Sequence, residues 1–364
     1  MTIDELWAEC EQLSNDIEKI NNEINDQEQE ILDEYSELSI PTDVSVTTNS
    51  VSTSGGSYHL GFDRAPANME KVSKEELTQY FLSHGGTQIN DDTYAINIDG
   101  KNYQYNINTE SVTVNGENYI GCRFYKTPNT QLGNINNTIT ILPGSGETRY
   151  GAVKRNNDDN KNALPNNINI NDGSLVIVPY FQKEDYYNMY RQADKVIPAT
   201  YLGNFMACGS TTTTNHVRNS VVGYSMGATA SFPLICEAPQ NYFSSLVAVD
   251  LGSYMQKMDG SYFNTISESD YSKMTDMEFI FMSSDGNDPW QDKSMAQTYH
   301  NLKKYGAQNI VFYTNADKTL NPNIGNGVYY VEDAIDTSNQ WTYSSHNHGY
   351  QIINDTNILS YLSR

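Results

Sequence analysis

The sequence predicts an α/β protein: a mostly parallel sheet with helices on both faces, preceded by an N-terminal coiled-coil helix and a small α+β segment. Three observations carry this. From residue 138 onward, short and continuously apolar stretches alternate with helical stretches. Such strands belong in a parallel sheet covered on both sides. Residues 3–38 carry a seven-residue apolar repeat, the mark of a supercoiled helix. Between them lie alternating runs broken by Asp99-Gly100 and Asn115-Gly116, both hairpin signals.

The elements follow in order. Ile3, Cys10, Ile17, Ile24, Ile31 and Leu38 occupy one seam position of the repeat, and Leu6, Leu13, Ile20, Gln27 and Glu34 the other. So narrow a stripe needs a partner helix, and self-association through residues 3–38 is the expectation, with dimer and trimer both open. Packing back onto the chain's own domain is the alternative. Residues 1–40 are thus read as the coiled-coil helix and 41–57, rich in Ser, Thr and Gly, as a linker. A small α+β segment is expected over 58–107. It holds a helix starting at the Ser73 cap, with Glu76 three residues on and Gly85 as its stop. The remainder, 108–364, is read as the main domain. Its expected strands are 138–144, 174–180, 220–225, 244–250, 277–284 and 309–315. Its expected helices are 184–197, 226–239, 290–306 and 351–363.

Composition narrows the function. The 364 residues carry a net charge of −23, and the isoelectric point is about 4.5. Nucleic acid and anionic lipid surfaces are poor partners for such a chain. The first forty residues hold thirteen acids against one base, Lys19, so about half the excess charge sits on the coiled-coil segment. Mean hydropathy is −0.60, yet 27 tyrosines supply core material. Cys10, Cys122, Cys208 and Cys236 form no metal-ligand spacing and are expected as free thiols. No apolar run reaches the roughly 18 residues of a membrane span. The first residues lack a basic and apolar leader, so a cytoplasmic location is the default expectation. Export without a leader, or carriage on a virion, is the alternative.

The stretch 219–230, NSVVGYSMGATA, holds Gly223-Tyr224-Ser225-Met226-Gly227 between an apolar strand and a run of small residues. This G-x-S-x-G pattern turns the chain sharply and presents the serine above a helix N-terminus. From about residue 108 to the end the chain resembles an α/β-hydrolase, in the manner of esterases whose elbow reads G-x-S-M-G. The resemblance implies acyl transfer to water through Ser225, with an acid and then a histidine following along the chain. In FIFMSSDGNDPW, Asp288 before Pro289 fits the family's acid best, with Asp285 as the alternative; Asp250 ends an earlier strand that some branches use. In YSSHNHGYQII, His346 is favoured over His348 as the base. His59, His84, His216 and His300 fit poorly. The oxyanion donors implied are the N–H groups of Met226 and Ser145, the latter in LPGSGE. Here the chain departs from the family: Pro143, without an N–H, stands where a His-Gly pair is usual.

No cofactor or metal is expected. PGSGE lacks the Lys-Ser/Thr of a phosphate loop, and no G-x-G-x-x-G occurs. The stretch between Asp250 and Met277 is too short for a large lid. An insertion at 316–345 carries Tyr329, Tyr330, Trp341 and Tyr343. A small-molecule or carbohydrate-linked ester, acetyl or feruloyl, is the expected substrate. The rival reading is a non-catalytic binding or structural protein on the same fold.

Overall fold

The computed structural model describes residues 52–53, 56–57, 68–142, 170–180, 193–214, 217–224, 226–249, 268–283, 289–314, 335–336 and 362. The chain divides into two units, Met1–Ser50 and Val51–Arg364. The first lies outside the described residues, and the coiled-coil expectation for 3–38 lies there with it. Within the stretch read as linker, β1 (Ser52–Thr53) and β2 (Gly56–Ser57) form a short antiparallel pair.

Local chemistry explains the first part of the second unit. After β3 (Glu70–Lys71), helix α1 (Lys74–Ser83) starts where Ser73 and Glu76 satisfy each other. The Ser73 hydroxyl accepts from the Glu76 N–H at 3.2 Å, and the Glu76 carboxylate accepts from the Ser73 N–H at 3.1 Å. The helix stops before Gly85, whose φ is +84°. Next come β4 (Thr87–Asn90), β5 (Thr93–Ile98), β6 (Lys101–Asn106), β7 (Ser111–Val114) and β8 (Glu117–Tyr119). They form one antiparallel five-stranded sheet in sequence order. Two of its turns are the Asp99-Gly100 and Asn115-Gly116 pairs, all four residues at positive φ, as a tight hairpin requires. The chain then passes at Ile120 from β8 into β9 (Gly121–Lys126) of a larger sheet, so both hairpins share the smaller one.

The larger sheet continues with β10 (Asn137–Leu142) and β11 (Ser174–Tyr180). A 3₁₀ turn (Ala193–Val196) leads into helix α2 (Ile197–Cys208). There follow β12 (Arg218–Tyr224), helix α3 (Met226–Glu237) and β13 (Ser245–Val249). Helix α4 (Glu268–Ser272), β14 (Glu278–Ser283), helix α5 (Pro289–Lys304), β15 (Asn309–Thr314) and β16 (Ile335–Asp336) complete the order. The nine strands lie in the order β16-β15-β14-β13-β12-β10-β11-β9-β3. All are parallel except β9, antiparallel to both its neighbours β11 and β3.

Every residue of β10 and of β13 is buried, so both faces of the sheet are covered. On one face Phe279 and Phe281 of β14 meet Phe232 of α3 and Met295 of α5; the Phe232 and Phe281 rings stack with centroids 6.3 Å apart. On the other, Ile139, Val222, Val247, Ile280 and Met282 pack with Leu362. A buried polar seam closes the amino edge: Ser245 donates to Ser220 at 2.9 Å, and Asn219 donates to the Tyr242 carbonyl at 3.0 Å. The Asn137 amide donates to the Leu362 carbonyl, fastening the C-terminal end of the chain to the start of β10.

The sequence predicts a helix over 184–197 and none over the span of α2. Nine of the twelve α2 residues are buried, so it has no amphipathic stripe to read. It bridges the two sheets: Leu202, Phe205 and Met206 share one core with Phe81 of α1, Tyr94 of β5 and Ile177 of β11. Gly203 permits this, since a Cβ there would collide with the Ile177 side chain. Residues 184–192 lie outside the described residues. The other predicted elements appear within a few residues of their expected bounds, save the terminal helix, of which only Leu362 is described.

Candidate active site

Strand β12 runs through the middle of the sheet and is buried from Asn219 to Tyr224. Helix α3 begins at Met226, so Ser225 alone separates strand from helix. Reversal over a single residue brings the first turn of α3 back against the strand it leaves. A Cβ at Gly223 would lie 2.6 Å from both the Ala228 Cα and the Gly227 carbonyl oxygen, and nearer still to the Ser231 hydroxyl. Backbone contact this close admits only glycine. Ser231, fully buried, donates to the Gly227 carbonyl at 2.8 Å and so finds a partner within the same tight packing. The small residues Ala228 and Ala230 are also fully buried. The G-x-S-x-G pattern marks the two glycines but not Ser231, although its position four residues after Gly227 is the helical spacing at which a serine hydroxyl reaches back to a carbonyl.

Ser225 itself lies outside the described residues, as do Asp250, Asp285, Asp288, His346, His348 and Ser145; Met226 is described through its backbone as the first residue of α3. What the fold determines is where their segments start. The parallel register pairs Leu142 with Gly223, Tyr224 with Val249, Val249 with Met282, and Met282 with Tyr313. All these strands therefore end at one carboxyl edge. From that edge leave the segment holding Ser145, directly after β10, and the segment starting at Asp250, after β13. The five residues with Asp285 and Asp288 connect β14 to Pro289 of α5. Strand β14 is two places from β12, roughly 10 Å at the usual strand spacing. Strand β16 pairs in parallel with the end of β15, Thr314 opposite Asp336, so the chain leading to His346 and His348 also sets out from the carboxyl edge. It has reached the amino edge by Leu362.

Cys122, a second nucleophile type among the described residues, is poorly suited. Burial pushes the Cys122 thiol well above its ordinary pKa, which suppresses the thiolate. His300 sits within α5 against the Tyr299 ring, and His84 stacks on Tyr80. Among the described residues no group of three or more His, Cys, Asp or Glu is placed to hold a metal, and no helix is long and apolar enough to cross a membrane.

The sheet order and the one-residue turn have the α/β-hydrolase architecture that the sequence resembles. No family model matches the chain, and no curated protein matches it. Several solved structures are similar at low identity. The apo prolyl oligopeptidase B from Galerina marginata is 12% identical, with a TM-score of 0.33, over 64% of this chain and 41% of its own; this chain thus spans under half of that protein. LpqC, a poly(3-hydroxybutyrate) depolymerase from Bordetella parapertussis, is 14% identical with a TM-score of 0.31, over 58% of this chain and 68% of its own. A fungal esterase from Rhizomucor miehei is 12% identical with a TM-score of 0.35, over 71% of this chain and 87% of its own.

Proposed function

We propose that this chain is a serine hydrolase that cleaves carboxylic esters through an acyl-enzyme on Ser225. The observation that carries the reading is the one-residue reversal between β12 and α3, held in backbone contact at Gly223. A structural turn has no need of so tight a reversal. A nucleophile held at the head of a helix does, because the N-terminal end of α3 favours negative charge beside it.

In this reading the Ser225 hydroxyl attacks the ester carbonyl carbon while His346 takes its proton. The tetrahedral oxyanion is held by the N–H groups of Met226 and Ser145. Collapse breaks the bond to the alcohol, which leaves with the proton from His346. Water then attacks the acyl-serine, again giving its proton to His346, and the carboxylic acid departs as Ser225 is restored. Asp288 orients the imidazole and stabilises its charged form. His348 and Asp285 are the alternatives for these two roles. The polar, acidic chain suits an uncharged or sugar-linked ester, acetyl or feruloyl, better than an anionic one.

The test is hydrolysis of p-nitrophenyl acetate, with fluorophosphonate labelling as a second readout, for the wild type and Ser225→Ala. Turnover should fall by about 10³-fold or more and labelling should disappear. Activity that survives the substitution overturns the assignment of Ser225. A wild type that neither labels nor turns over supports the non-catalytic reading instead.

A further inference from the structure

At the far end of α3 from Ser225, a cleft of about 640 Å³ opens between the five-stranded sheet, the 3₁₀ turn with the start of α2, and the loop from α3 to β13. Its size falls in the roughly 300–1,000 Å³ range of small-molecule sites. The length of α3, about 17 Å for its rise, separates it from the Ser225 end, and it opens at the amino edge of the large sheet rather than the carboxyl edge.

Three tyrosines form its wall: Tyr103 of β6, Tyr119 of β8 and Tyr201 of α2. Tyr103 and Tyr201 meet edge to face, their centroids 6.3 Å apart. Elsewhere in this core, buried tyrosine hydroxyls are paired. Tyr80 donates to the Phe205 carbonyl and Tyr105 to the Cys122 carbonyl, each at 2.9 Å, while Tyr242 accepts from the Asn204 amide at 3.0 Å. Tyr103 is only 3% exposed, yet its hydroxyl, like that of Tyr201, has no partner among the described residues. Neither oxygen is among the sealed-off side-chain polar atoms that lack a partner in the described residues. Both tyrosines line the cleft, within reach of a ligand held there. Burial raises both phenol pKa values, that of Tyr201 to about 12, so they act as neutral donors and acceptors.

The rim is polar but balanced, with Asp194 and Glu237 against Lys101 and Lys273. Asp194 is half-buried and accepts from the Lys195 N–H at 2.7 Å through one carboxylate oxygen. The Lys273 ammonium is turned toward the Cys236 carbonyl at the end of α3. An ionic ligand would meet repulsion and attraction alike here. An uncharged polyol finds donors, acceptors and flat aromatic faces that cost little side-chain entropy to hold.

We propose that this cleft binds a carbohydrate, an uncharged sugar unit packed on the half-buried Tyr119 and Tyr201 rings and hydrogen-bonded by Tyr103, Tyr201 and Asp194. The proposal does not rest on the hydrolase reading, and Ser225 takes no part in it. The full-length protein is titrated by calorimetry with xylotetraose, cellotetraose, maltotetraose and chitotetraose, alongside Tyr103→Phe/Tyr201→Phe and Asp194→Ala. At least one sugar should bind, and loss of two hydroxyls should weaken it about tenfold. Asp194→Ala should still unfold cooperatively in urea, showing that it is folded, and should weaken the same sugar several-fold. The proposal is overturned if no sugar binds the wild type at about 10 mM. It is equally overturned if the wild-type affinity persists in either variant. Should the tyrosine pair prove unfolded, Asp194→Ala decides alone.

Discussion

At Gly223 the strand and the returning helix are in backbone contact, and the missing side chain is what allows it. A methyl group there would overlap the Ala228 Cα, the Gly227 carbonyl and the Ser231 hydroxyl. Only the last of these can yield without moving backbone. Gly223→Ala should therefore cost about 3 kcal/mol, the upper end of overpacking penalties, and should displace the start of α3. Removing the Ser231 hydroxyl as well should restore only a small part of that loss, because two of the three obstacles are main chain. Urea denaturation of Gly223→Ala and of Gly223→Ala/Ser231→Ala measures both terms. A double variant as stable as the wild type would show that the side chain, not the reversal of the backbone, requires glycine at this position.

Among the elements, α1 gives the cleanest test of local chemistry. Burial alone would raise the Glu76 pKa, but hydrogen bonds from Ser73 and Lys126 outweigh it and hold the carboxyl below its ordinary value near 4.5. A group depressed on folding adds stability above its unfolded pKa and loses it as the pH falls through the folded value. Ser73→Ala should cost about 1 kcal/mol at neutral pH. Glu76 is largely solvated, so Glu76→Gln should cost only a few tenths of a kcal/mol after screening, and the difference from wild type should vanish in acid, below the folded pKa. Urea midpoints at pH 7 and in acid separate the two. Such elements were legible because their signals are contiguous: a capping box, two turn dipeptides at positive φ, and apolar runs such as TITIL and SLVAV. Helix α2 was not, since burial all round erases the stripe that marks a helix. The sugar cleft was invisible for another reason. Tyr103 and Tyr201 are far apart in the chain and become neighbours only when α2 packs between the sheets. For the candidate site the legible part was the elbow itself; the acid and histidine segments could be ranked only by resemblance, and of them the fold adds the edge from which each departs.

On the scale of the whole molecule, the division at Ser50 separates two kinds of stability. The second unit holds its own core, its own polar seam and the fastening of Leu362 to Asn137. A protein of residues 58–364 should therefore unfold cooperatively and keep the esterase activity proposed for the full chain. The sequence of the first unit carries a seven-residue repeat rich in isoleucine and leucine, with thirteen acids against one base in its first forty residues, and we propose that it assembles the chain into a homo-oligomer. Each added strand then brings like charge alongside like charge. At about 0.01 M ionic strength the Debye length is about 30 Å, and at about 0.15 M it is about 8 Å, so assembly should tighten as salt rises. Sedimentation velocity of the full chain across this range, beside residues 58–364, reads the effect directly. The expected result is a salt-strengthened dimer or trimer for the full chain and a monomer for the shorter one. If both are monomers at every salt concentration, the apolar repeat at 3–38 does not mediate self-association. If both oligomerise alike, the contact lies in the second unit, and the acidic segment is dispensable to it.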